Sequence, residues 1–172
     1  PGGAPVTNPY FNYTTTAGSN TFPFNQSAGK EVQWFVGPGE FVQPSAAPSG
    51  GNITSISFYA SGNGNATYNS FTIKLGQLSS PFAGGALYAG PMTTVILPAT
   101  KSIVAATATW VTLTLDVPFP YDPTKWLVVD VGHCGYTGTG FSVYQNTLTG
   151  VRRAWSVGGC PFVFTNSDAT LP

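Results

Sequence analysis

Charge is what this chain has least of. Six Lys/Arg and six Asp/Glu make up 7% of 172 residues, where a soluble domain carries roughly a quarter. The shortage thins out acid–base chemistry: the carboxylates are Glu31, Glu40, Asp116, Asp122, Asp130 and Asp168, and the one histidine is His133. Net charge is zero, so the basic face of a nucleic-acid binder is missing, and Arg152-Arg153 is the only basic pair. No apolar run approaches the roughly 20 residues that span a bilayer as a helix. Strong helix formers are scarce too, with two Glu, four Lys, two Arg and one Met against 22 Thr and 21 Gly. Thr100–Thr109, the one Ala-containing stretch of note, has room for a short helical turn only. The start, Pro1-Gly2-Gly3-Ala4-Pro5, has neither the basic end nor the apolar core of a signal peptide, which suits a processed chain as well as a cytosolic one.

What replaces charge is uncharged polarity: Ser, Thr, Asn and Gln number 51. Such a surface lacks self-repulsion and suits proteins that stick, stack or live outside cells. Two cysteines, Cys134 and Cys160, cannot make a four-ligand zinc site even with His133. Either they form a disulfide, worth roughly 3–4 kcal/mol on the chain-entropy model, or they are two buried thiols; the extracellular composition favours the disulfide.

Strand signals recur between turn signals. Glu31–Val36 alternates and stops at Gly37-Pro38-Gly39. Ile56, Phe58 and Ala60 share one face, as do Phe71, Ile73 and Leu75, and again Val111, Leu113 and Leu115. Trp126–Val129 is apolar on both faces, as a central strand is. Further strands are expected at Thr93–Leu97, Phe141–Gln145, Val151–Ser156 and Pro161–Thr165. The expected fold is all-β: an antiparallel, jelly-roll-like β-sandwich of about nine or more strands with no substantial helix. Residues 1–25 read as an N-terminal arm or first strand, 26–165 as the sandwich, and 166–172 as a truncated linker.

Several blocks occur in order: Asn20-Thr21-Phe22-Pro23-Phe24-Asn25, Val32-Gln33-Trp34, Gly37-Pro38-Gly39-Glu40-Phe41, Phe71-Thr72-Ile73-Lys74-Leu75-Gly76-Gln77, Tyr88-Ala89-Gly90-Pro91-Met92, Trp126-Leu127-Val128-Val129-Asp130-Val131 and Arg152-Arg153-Ala154-Trp155-Ser156-Val157-Gly158-Gly159-Cys160-Pro161. The set, over residues 20–165, resembles β-sandwich domains of Bacteroidota surface and secreted proteins exported by the type IX secretion system. That resemblance implies a secreted or cell-surface location, and since such proteins usually continue into a C-terminal sorting domain cleaved at export, a chain ending at Leu171-Pro172 is expected to have lost it. It carries over no catalytic residue.

Paired carboxylates need two acids about 5–10 Å apart in a cleft; Asp122 in Tyr-Asp-Pro reads as a turn cap, and Asp130 leaves a central strand with Lys125 or an arginine as its expected partner. A calcium site near Asp122, Asp130 or Asp168 is the other use of these acids, but no calcium-loop spacing is present. His133 reads as a strand-end residue, and no Gly-x-Ser-x-Gly elbow occurs. The composition points to a non-enzymatic protein without a resident cofactor or metal.

Two binding modes remain. Self-assembly, or attachment to other surface proteins, would proceed by strand addition at a sheet edge, with Tyr10, Phe11, Phe22 and Phe24 as the aromatic content of an assembly arm. The ordinary alternative makes those residues the domain's own first strand. Polysaccharide binding would use an aromatic platform; among Trp34, Trp110, Trp126 and Trp155, the last stands beside Arg152 and Arg153, and an arginine can bond hydroxyls or stack on the ring.

Overall fold

The computed structural model describes residues 10–11, 18–43, 45 and 50–172. Among the described residues are twelve strands and no helix: β1 (Gly18–Asn20), β2 (Lys30–Val36), β3 (Gly51–Tyr59), β4 (Gly64–Leu78), β5 (Met92–Ala105), β6 (Trp110–Tyr121), β7 (Trp126–His133), β8 (Tyr136–Thr139), β9 (Val143–Thr147), β10 (Arg153–Val157), β11 (Phe164–Asp168) and β12 (Thr170–Leu171).

Four antiparallel pairs are nested: β4 with β5, β3 with β6, β2 with β7, and β1 with β9. Successive pairs fall in alternate layers. One layer runs β11-β10-β2-β7-β4-β5, with β8 also beside β4. The other holds β3-β6 and β1-β9-β12, tied together by a bridge between Ala60 and Val143. A long hairpin rolled up in this way is a jelly roll, and its two layers make the antiparallel β-sandwich expected from the alternating strands.

Position in the large sheet explains the burial of β2. All seven of its residues are buried, because β10 and β7 flank it and both faces are covered. Val32, Trp34 and Val36 enter the core between the layers. Phe35 points the other way, where the segment between β4 and β5 covers the outer face: Phe82 stacks on Phe35 at 4.2 Å, and Leu87 and Tyr88 join them. β6 shows the plainer pattern, with Val111, Leu113 and Leu115 buried between exposed neighbours. β4 bends at Ser70, whose φ of 50° accompanies a register shift between Tyr68 and Phe71. Before the bend β4 pairs with β8, and after it with β7.

Four expectations are corrected. Thr100–Thr109 forms no helical turn but continues β5 to Ala105; pairing with β4 holds Ile103 and Val104 extended. The late strand begins at Phe164 rather than Pro161, since Cys160-Pro161 belongs to a loop tethered by a disulfide. Residues 166–172 are no linker. They finish β11 and form β12, where Leu171 is 1% exposed and Thr170 and Leu171 pair with Thr147 and Asn146. The aromatic arm is likewise internal at its second half. Phe24 is fully buried, stacked on Phe141 at 4.5 Å and edge-on to Phe58 at 5.0 Å, and Phe22 packs against the same core. Of the other two arm residues, Phe11 pairs with Gln43 of its own chain, and Tyr10 is half-buried.

Candidate functional site

Cys134 and Cys160 are joined as a disulfide, which ties the end of β7 to the loop before β11. The three residues expected to bind ligand separate. Arg153 and Trp155 stand opposite Trp34 and Val32 of β2, and both point into the space between the layers. Arg152, one residue before Arg153, points to the other face. There it bonds Glu40 through Nη1 and Nη2, each at 2.8 Å, and lies 4.8 Å from the Trp126 ring. Glu40 also accepts the Gly37 amide at 2.6 Å. Arg152 therefore locks the turn after β2.

Around Arg153 the structure gathers residues that the sequence did not connect. Its guanidinium lies 4.6 Å from the Trp155 ring and 5.0 Å from Phe22, and grips Asp168 through Nε and Nη2. Lys30, fully buried, puts Nζ 3.4 Å from the centre of Phe22 and 5.6 Å from Trp155. Burial first, then the Arg153 charge, lower the Lys30 pKa to about 7. Two cations thus share two rings. Trp155 is half-buried with Phe22 at 5.8 Å, so its ring is engaged within the fold.

Across the large sheet, on its outer face, lies a second polar group. Lys74 of β4 is in register with Asp130 of β7, and Asp130 with Gln33 of β2. Lys74 Nζ is 3.2 Å from Glu31 Oε1 and 3.6 Å from Asp130 Oδ1. Gln33 Nε2 donates to Asp130 Oδ2 at 2.8 Å, and the backbone of Tyr88 fixes the Gln33 amide on both sides. Asp130 is 1% exposed; burial, followed by the negative charge of Glu31, pushes its pKa up to about 7. Lys74 is held above the usual lysine value: the Asp130 and Glu31 charges outweigh the opposing cost of burial. The expected partners of Asp130, Lys125 and the arginines, are engaged elsewhere. Lys125 pairs with Asp122 at 3.3 Å.

His133 ends β7 fully buried. Its Nε2 meets the Pro23 carbonyl at 2.8 Å and its Nδ1 accepts the Gly135 amide at 3.1 Å. Burial lowers its pKa. Both ring nitrogens hold backbone, in keeping with a strand-end role. Among the described residues no three His, Cys, Asp or Glu side chains gather as a metal site, and no helix is long and apolar enough to cross a membrane.

The outer face of the smaller layer carries a row of rings. Tyr59 lies 5.0 Å from Trp110 and 5.2 Å from Tyr144, and Phe11 lies 5.6 Å from Trp110. Trp110 is 36% exposed, and hydroxyls flank the row, with Ser57 bonded to Thr112 and Ser19 to Ser61. Beside it, Lys101–Val104 of β5 and Trp110–Thr114 of β6 line an open groove of about 390 Å³. Among the described residues β5 forms a ladder only with β4, and β6 only with β3, so the groove lies between two strand edges without a ladder partner, joined further along where the Leu97 amide donates to Asp116 at 2.9 Å. The row was missed because its rings come from four distant segments; the outward alternation of Tyr59 was the one local signal. No family model, curated protein or solved structure matches the chain.

Proposed function

We propose that this chain is a non-enzymatic adhesive or structural module of an exported protein, secreted or held at the cell surface, of the Bacteroidota type IX kind that its ordered sequence blocks resemble. The groove between the free edges of β5 and β6 carries this reading. An unpaired edge offers backbone donors and acceptors to an added strand, and here Val104, 71% exposed, and Trp110 border it. The only charged residue lining the groove is Lys101. The occupant is an extended segment from another copy or another surface protein, and the disulfide suits an oxidising location.

Sedimentation across a concentration series tests it. The wild type should associate with little dependence on salt, since main-chain hydrogen bonds and apolar burial are not screened as ion pairs are. Val104→Lys should remain monomeric with an unchanged circular dichroism spectrum, because an edge lysine blocks strand addition. A wild type that stays monomeric at all concentrations, or a variant that associates equally, would overturn the reading.

The ring row favours a second reading, a carbohydrate-binding module of a larger exported protein. Sugar rings stack on aromatic faces, and the Ser and Thr hydroxyls beside Trp110 and Tyr59 offer hydrogen bonds. Trp110→Ala should then abolish retention on a polysaccharide column without loss of stability. Trp155→Ala should instead lower stability by roughly 3 kcal/mol, because its ring is packed against Phe22 and Arg153. Retention unaffected by Trp110→Ala would remove this reading.

A further inference from the structure

We propose that Lys74 and Asp130 condense to an intramolecular isopeptide bond, with Glu31 moving the proton. The three side chains come from three adjacent strands, β4, β7 and β2, and each part of the reaction has its group in place.

The nucleophile is Lys74 Nζ and the electrophile is the Asp130 carboxyl carbon. Their register pairing puts them side by side on the same face, with Nζ 3.6 Å from Oδ1. The carbon under attack is bonded to that oxygen, so the nucleophile stands beside it, and groups held in this way react as if at very high concentration. Amide formation needs a carboxyl that is neutral rather than ionised. Burial of Asp130 and the adjacent Glu31 charge favour that form. The two Asp130 oxygens are differently engaged. Oδ2 accepts from Gln33 and is suited to remain as the amide carbonyl oxygen. Oδ1 faces the lysine and accepts no hydrogen bond, which suits the oxygen that leaves.

Glu31 completes the set. It reaches Lys74 across β7 because its register partner there is Gly132, which presents no side chain. Its Oε1, 3.2 Å from Nζ, takes one proton from the ammonium and hands it to Oδ1, which makes the carboxyl neutral, and after the amine attacks it moves a second proton from nitrogen to the departing hydroxyl, each time as a general base and then a general acid. The balance closes without a co-reactant. An ammonium and a carboxylate give one amide and one water: the N–C bond forms, the C–Oδ1 bond breaks, and Oδ1 leaves with two of the ammonium hydrogens. Phe162 lies over Gly132, its ring 3.3 Å from where a Cβ would stand, and so shields the cluster on that side. The bond would staple β4 to β7 at the centre of the large sheet, a covalent reinforcement that does not depend on which ligand or partner the module takes.

Intact mass after reduction of the disulfide decides it. The wild type should be lighter than its sequence mass by one water, and proteolysis should yield one branched peptide linking Lys74 to Asp130. Lys74→Ala, Asp130→Ala and Glu31→Gln should each run at full sequence mass, the last because an amide cannot accept the ammonium proton. A wild type at full sequence mass would overturn the proposal whatever the variants do. So would a branched peptide joining Lys74 to Glu31, or a Glu31→Gln protein that still lacks the water.

Discussion

Tyr68 donates its hydroxyl to the backbone carbonyl of Phe24 at 2.6 Å, and the two rings meet edge-on at 6.0 Å. This contact fastens the segment after β1 to the bend of β4. The Tyr68 pKa is well above the usual tyrosine value, raised by burial and by the neighbouring Tyr136, so the hydroxyl stays a donor at all ordinary pH.

Tyr68→Phe should therefore lower stability by about 1–3 kcal/mol, because the Phe24 carbonyl is left buried without its partner. Phe24→Ala should cost more, about 3–5 kcal/mol, through the cavity left among Phe58, Phe71 and Phe141. Urea unfolding of both variants measures this. Removal of residues 1–25 should likewise leave an unfolded chain, not a folded monomer; a cooperative transition in that deletion would show that Phe24 is dispensable.

Reduction of Cys134–Cys160 should lower stability by about 2–4 kcal/mol, seen as a fall in Tm with reductant, and should release two alkylatable thiols. The loop it tethers carries Phe162, so exchange protection of backbone amides near Gly132 should fall as well. An unchanged Tm after complete reduction would contradict this account.

Lys30 gives the chain a distinctive alkaline behaviour. Its folded pKa is depressed from 10.5 to about 7, so between those values the unfolded chain binds the extra proton. Stability is therefore lost as pH falls from about 10.5 to about 7 and regained as pH rises across the same window, by at most about 1.4 kcal/mol per unit. Comparison with Lys30→Met isolates it: between pH 7.5 and 9 the wild type should gain stability relative to the variant. Parallel curves for the two proteins would show that Lys30 titrates alike in both states.

Where side chains alternate under local control, the strands were legible. Val111, Leu113 and Leu115 mark one face of β6 whatever surrounds them, and Trp126–Val129 reads as central because both faces are apolar. β1, β8 and β12 were not legible, since such short strands have no period and exist through the partners β9 and β4 supply. The same holds for the sites. Arg153 and Trp155 were visible as neighbours in sequence, but Lys30 and Phe22 join them only across the sheet.

By itself the sequence determined the class of this protein: scarce charge and scarce helix formers leave strands and turns, while two cysteines in an uncharged polar chain favour a disulfide over buried thiols, a choice that the structure made. Only the tertiary structure decided what each polar residue does. Extended chain presents successive residues to opposite faces, which parts Arg152, just before β10, from Arg153, its first residue. Register brings Lys74, Asp130 and Glu31 together from positions 31, 74 and 130. Local propensity acts over a few residues, whereas the partner of a buried charge is chosen by the strand that lies beside it, and no spacing in the chain records which strand that is.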